Sequence, residues 1–283
     1  MAAPLPIVGL IPAAGQGTRI SPLPMSKELF PVGSRMVAGR AGLRPKVVCH
    51  YLLEKMQRAG VEQAFFILRP GKWDIPNFLG DGADVGLHLA YLTVHVPFGV
   101  AFSLNQAYPF LRGATVVMGF PDLLFEPENA YQVLLDRLHG GTADVVLGLF
   151  PTDQPQQVGL VDFDEGGVVR GIYEKSNLTH LPYMWAIAAW RPTFSDFLHE
   201  FVRDRTQALI GTRIPQHLTA LPPYSEIPIG DVMQAALKSG LRVEAEAFPQ
   251  GSYLDIGTPE NLARAIQQHL LPSSGVAHDW GQG

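Results

Sequence analysis

Short apolar runs alternate along the chain with stretches of helical period. Ile7–Ile11, Gln63–Leu68, Leu87–Val96, Thr115–Gly119, Asp144–Phe150, Tyr183–Trp190 and Val243–Phe248 read as strands. The wholly apolar Thr115–Gly119 suits the centre of a parallel sheet, where both faces are buried. Over residues 46–59, Val48, Leu52, Leu53, Met56 and Ala59 recur at helical spacing, and Gly60 provides the stop. Helices are predicted over Gly99–Leu111, Glu128–His139, Thr193–Arg203 and 231–239, and from Pro259 to about His269. Thr258 is a good N-cap for the last of these, with Pro259 as its first residue. Val158–Lys175 alternates like a hairpin around Asp164-Glu165-Gly166-Gly167. Ser34–Lys46, which carries Arg35, Arg40, Arg44 and Lys46, reads as a solvated loop. From Ile7 to Leu68 the order is strand, loop, helix, strand, a βαβ unit with a right-handed crossover.

Composition narrows the class. With 283 residues and 47% hydrophobic content, the chain is long enough for one large α/β domain. A net charge of −5 offers no general basic field for nucleic acid. The single cysteine, Cys49, excludes an internal disulfide framework, sits in an apolar helical pattern that suits the core, and fits a reducing, cytoplasmic setting. No basic and apolar leader and no membrane-spanning apolar run is read, so no membrane partner is expected. A homo-oligomer is compatible with all of this.

The candidate chemistry gathers after the first strand. There Ala13-Ala14-Gly15-Gln16-Gly17-Thr18 forms a small-residue turn closed by Arg19. Gly15 and Gly17 would let phosphate oxygens approach the backbone, and Arg19 and Lys27 add charge where a polyphosphate would sit. A Gly-x-Gly alone is as often only a turn. Pro22 and Pro24 forbid a following helix, and no Gly-Lys-Ser/Thr follows, which excludes a dinucleotide fingerprint and a Walker loop. Asp122 follows a central strand, and Asp255 precedes the last helix. On local pattern alone, both are turn or capping residues.

The stretch from Gly15 to Val32 resembles the signature of the sugar-nucleotide pyrophosphorylases, the sugar-1-phosphate nucleotidyltransferases, in Gly15, Gly17, Thr18, Arg19, Lys27, Pro31 and Val32. The likeness, strongest to the glucose-1-phosphate thymidylyltransferase branch, runs from Ile7 to about Leu270. It implies a Rossmann-like α/β fold with a mixed, mainly parallel sheet flanked by helices, of the nucleotide-diphospho-sugar transferase type. It implies a single domain over 1–271, with a nucleotide-binding part to about residue 150, a sugar-binding part beyond it, and a loose tail at 272–283. The implied substrates are a nucleoside triphosphate, dTTP or UTP, and a sugar 1-phosphate. Asp122, set later than in the family pattern by an inserted Phe120-Pro121, and Asp255 would bind magnesium (Mg2+). Arg19 and Lys27 would serve catalysis, and Ala14, Gly15, Gly17, Thr18 and Gly99 would hold the nucleotide. Gly159, Glu174, Lys175 and Glu226 would hold the sugar phosphate.

The likeness thins at specificity positions. Val94 falls where that branch places a base-reading glutamine, which implies a relaxed preference between thymidine and uridine triphosphates. Tyr224 falls on a sugar-phosphate arginine, and Trp185-Ala186 on a Thr-Gly beneath the sugar. A non-catalytic regulatory protein that binds nucleotide-sugars is therefore the competing expectation. A glycosyltransferase is disfavoured, because the one Asp-x-Asp, Asp162-Phe163-Asp164, falls in the predicted hairpin.

Overall fold

The structure, a computed structural model, describes residues 5–37, 39, 41–95, 98–176, 178, 180–210 and 226–270. Strand β1 (Ile7–Pro12) leads into the signature loop, and a short 3-10 turn at Lys27–Leu29 follows. Next come β2 (Pro31–Met36), β3 (Leu43–Val47), α1 (Val48–Arg58), β4 (Gln63–Leu68), α2 (Asp74–Leu79) and β5 (His88–Thr93). Helices α3 (Val100–Asn105) and α4 (Tyr108–Leu111) precede β6 (Thr115–Gly119), β7 (Leu123–Glu126), α5 (Ala130–Gly140) and β8 (Val145–Pro151). The remainder is β9 (Gly159–Phe163), β10 (Val169–Glu174), β11 (Tyr183–Trp190), α6 (Pro192–Ile210), α7 (Ile229–Lys238), β12 (Val243–Ala247), β13 (Ser252–Asp255) and α8 (Pro259–Leu270).

Nine strands form one mixed sheet, with β10-β9-β11-β6-β1-β4-β5 in order and β8 joining β11 to β12. β6, β1, β4 and β5 run parallel, while β11 is antiparallel to both β6 and β8. Strands from both halves of the chain thus share one sheet. Apolar residues cover both of its faces. One cluster includes Leu10, Met118, Leu147 and Trp190, and the other Ile11, Leu52, Phe66 and Ile187. This two-sided burial explains why the central strands are continuous apolar runs. Cys49 is wholly buried.

Three elements differ from the sequence expectation. Ser34–Lys46 is not a loop: β2 and β3 pair as an antiparallel hairpin, with Arg35 opposite Arg44. Its charges are held by Glu54, 2.6 Å from Lys46 Nζ and 3.6 Å from Arg35 Nη1. Arg40 lies outside the described residues. The single helix predicted over Gly99–Leu111 is broken into α3 and α4. Pro109 lacks the N–H an interior helical position needs, so the chain starts a new helix around it. Helix α6 runs beyond Arg203 to Ile210.

Candidate active site

A further pairing that the sequence pattern did not show matters most for the site. β7 is only four residues long and pairs antiparallel with β13, with Leu123 opposite Asp255. The Ile256 N–H donates to the Asp122 carbonyl at 3.1 Å. Asp122, just before β7, and Asp255, at the end of β13, are therefore brought side by side from distant parts of the chain. The inserted Phe120-Pro121 lets the chain leave β6 and turn into β7 with Asp122 at the corner. Behind this ladder, Ile20, Leu124, Leu254, Ile256, Leu262 and Ala265 form a third apolar cluster, which joins the signature loop to α8. Thr258 caps α8, its hydroxyl accepting from Asn261 N–H at 3.3 Å.

The charges meet in front of the ladder. Lys27 Nζ forms a part-buried ion pair with Asp122. Burial alone would lower the Lys27 pKa, but the Asp122 carboxylate more than reverses this and raises it. Arg19 Nη2 lies 3.3 Å from Asp255 Oδ2, while Asp255 Oδ1 accepts from Gly257 N–H at 2.8 Å. Burial holds the Asp255 carboxyl above its usual range, and the nearby Asp122 charge adds to the rise, against the pull of Lys27 and Arg19. Two carboxylates that repel one another across an open site are a donor set suited to a hard divalent cation. No cluster of three metal-ligating side chains occurs among the described residues.

A cavity of about 460 Å3 opens under the signature loop. Ala14, Gly15, Gly17, Thr18, Lys27, Gly99, Asp122 and Glu226 all line it. Gly17 takes φ 63°, a conformation that favours glycine. Its carbonyl accepts from the N–H groups of Ile20 and Ser21, which closes the turn. Gly99, at φ 89°, is pressed against the Ile227 backbone, where a Cβ would come within 2.5 Å of the Ile227 nitrogen. The Ile227 N–H donates to the Phe98 carbonyl, and the Ala101 N–H donates to the Ile227 carbonyl. That clamp sets Glu226 at the cavity wall.

Other predicted residues lie elsewhere. Val94 does not line this cavity. Its N–H donates to the Leu68 carbonyl, which extends the β4–β5 pairing, and its side chain is buried among core residues. Gly99, Val100 and Ser103 stand at the wall instead. Arg19 is turned to Asp255 and does not line the cavity. Gly159, Glu174 and Lys175 also stand outside its lining. Glu174 Oε1 accepts from Trp185 Nε1 at 3.2 Å. Burial raises the Glu174 pKa, the indole bond opposes the rise, and the Asp231 charge adds to it. Lys175 is exposed and sits at φ 47°, unusual for a residue with a side chain. Tyr224 and residues 272–283 lie outside the described residues.

Sequence reasoning also missed a buried ion pair beneath Lys27. Lys72 Nζ sits 2.5 Å from Glu28 Oε1, and both side chains are nearly inaccessible. The only sequence signal was a Lys-Glu step inside the signature.

A glycine loop at the end of a central strand, with acidic groups carried in from later strands, is the arrangement of an α/β protein with its site at the strand ends. Residues 8–270 match the nucleotidyl transferase family, and the chain belongs to it. A glucose-1-phosphate thymidylyltransferase of Xanthomonas campestris pv. campestris is 32% identical over 267 residues, 91% of this chain and 78% of that one. The low-salt glycan biosynthesis nucleotidyltransferase Agl11 of Haloferax volcanii is 25% identical over 269 residues, 94% of this chain and 67% of that one. A UDP-glucose pyrophosphorylase solved with UDP-glucose superposes with a TM-score of 0.70 at 17% identity, covering 93% of this chain and 98% of that one. That likeness shows the nucleotide-diphospho-sugar transferase fold. Among the described residues, no helix is long and apolar enough to cross a membrane.

Proposed function

We propose that the protein joins a nucleoside triphosphate, dTTP or UTP, to a sugar 1-phosphate and releases pyrophosphate. The observation that carries this reading is that Lys27 and Asp122 pair in the wall of the glycine-loop cavity, with Asp255 and its partner Arg19 brought beside them by the β7–β13 ladder. A sugar phosphate oxygen attacks the α-phosphorus, the new P–O bond forms, and the bond to the β-phosphate breaks. The nucleophile is already ionised and needs no general base, so the protein's task is to align two anions and stabilise developing charge. Lys27 faces the α-phosphate. The amide groups of Gly15, Gly17 and Thr18 receive phosphate oxygens, and Ala14 and Gly99 let the nucleoside lie close to the backbone. Asp122 and Asp255 would hold Mg2+, which when bound supplies positive charge to the phosphates. Gly159, Glu174, Lys175 and Glu226 are assigned to the sugar phosphate, and the domain over 1–271 works as one unit.

A second reading, a non-catalytic protein that binds nucleotide-sugars, draws on Glu174, whose carboxylate is engaged by Trp185. Pyrophosphate release with a panel of triphosphates and sugar 1-phosphates in Mg2+ separates the two. The first reading expects release that is lost in Asp122→Asn and Asp255→Asn. No release from any pair, with nucleotide-sugar binding retained, establishes the second.

A further inference from the structure

A second cavity of about 420 Å3 lies between the signature loop and the turn that leads from β4 into α2. It shares Gln16, Gly17 and Lys27 with the nucleotide cavity, so the two adjoin at Lys27. Most charge along its wall is already settled. Lys72 is neutralised by buried Glu28. Asp74 gives one carboxylate oxygen to the Ser26 N–H at 2.6 Å and the other to the Ser26 hydroxyl at 2.8 Å. That pair of bonds fastens the turn to the residue before Lys27.

Arg69 is the exception. It follows the last residue of β4, the strand beside β1, and lines the cavity. Its Nε is buried and has no hydrogen-bond partner, and no carboxylate among the described residues pairs with it. A buried charged donor left unmade is costly, and a guanidinium offers a planar fork suited to phosphate oxygens. Arg19, by contrast, lies 3.3 Å from Asp255 and lines neither cavity.

We infer that Arg69 is a pyrophosphate-binding residue of this enzyme, helping to take the two outer phosphates of the triphosphate and to hold the pyrophosphate as it leaves. The inference rests on the nucleotidyl-transfer reading above. When the bond between the α-phosphorus and the bridging oxygen breaks, its electron pair stays on that oxygen. The departing dianionic end then meets the Arg69 fork at the far side of Lys27. Lys27 thus serves the reacting phosphorus, and Arg69 serves the group that leaves.

Calorimetric titration of the full chain with inorganic pyrophosphate in Mg2+ tests this directly, in the parent and in Arg69→Gln and Arg69→Lys. Pyrophosphate affinity should fall roughly 10- to 100-fold in Arg69→Gln, the range for a lost charged hydrogen bond. Arg69→Lys, which keeps the charge and loses the fork, should fall between. The KM for pyrophosphate in the reverse reaction should rise in step, with the KM for sugar 1-phosphate unmoved. Arg58→Gln, at an exposed position paired with Glu128, should leave pyrophosphate affinity unchanged. Affinity within twofold of the parent in Arg69→Gln overturns the assignment, as does a parent that binds no pyrophosphate at millimolar concentration. Pyrophosphate binding that depends on Arg69, in a parent that turns over no substrate pair, keeps the site and removes the activity.

Discussion

Around the signature loop, charged groups pair with one another beside a cavity. On the β9–β10 hairpin, Glu174, one of the groups expected to hold the sugar, is bonded and packed by neighbouring protein groups. Lys27, Asp122, Asp255 and Arg19 form two ion pairs, with the Asp255 pKa pushed upward by burial and by its neighbour. Glu174 instead bonds to Trp185 and is packed on glycine: a Cβ on Gly230 would stand 1.8 Å from its Oε1, and one on Gly159 2.7 Å away. The phosphate side is therefore built to receive charge. The sugar side is built by close packing, and a ligand there must displace or share an existing bond.

The largest effect is expected beneath the phosphate side. Lys72→Met leaves Glu28 buried without its cation and should cost about 3–5 kcal/mol of stability. Adding Glu28→Gln should restore most of it, as read by urea unfolding. If the single variant is as stable as the parent, the Glu28–Lys72 pair does not support the loop. Next, Lys27→Ala should lower kcat by about 10²–10³-fold with a smaller change in triphosphate KM, because its contact strengthens in the transition state. Lys175→Ala should act mainly on the sugar 1-phosphate KM. Equal kcat losses in the two variants would erase the contrast between the sides.

A smaller effect tests the packed side. Gly230→Ala forces Glu174 from its place and should cost roughly 1–3 kcal/mol, the usual range for overpacking. It should raise the KM for sugar 1-phosphate and leave the triphosphate KM alone; a rise in both would tie Glu174 to the nucleotide instead. The smallest effect is one of sign. An aspartate whose folded pKa is raised destabilises the fold when ionised, so Asp255→Asn should melt slightly above the parent at neutral pH in metal-free buffer. The parent gains stability as pH falls through its raised folded pKa toward the ordinary 3.8, so the variant's advantage should vanish over that window. A variant that melts lower at neutral pH would mean that the Arg19 pair outweighs the repulsion.

The sequence told most where burial was symmetrical. Gln63–Leu68, Thr115–Gly119 and Tyr183–Trp190 coincide with β4, β6 and β11 because a strand buried on both faces leaves an uninterrupted apolar run. It told least where an element is short and one-sided. Leu123–Glu126 and Ser252–Asp255 are each four residues long and carry too little pattern to read as partners, yet their pairing brings the aspartates together. The β2–β3 hairpin was hidden by its charges, which Glu54 neutralises only once α1 is in place. At Val94, linear alignment gave a position in the chain but not a direction: the backbone pairing that holds it also sends its side chain inward.

The small apolar cluster behind the aspartates has a consequence for the newborn chain. Ile20 belongs to the signature loop, and Leu262 and Ala265 to α8, so the loop finds these apolar partners only far later in the chain. Contacts of such long sequence separation form late. While the ribosome is still extending the chain, the glycine loop can exist without its second carboxylate, which arrives only with residue 255.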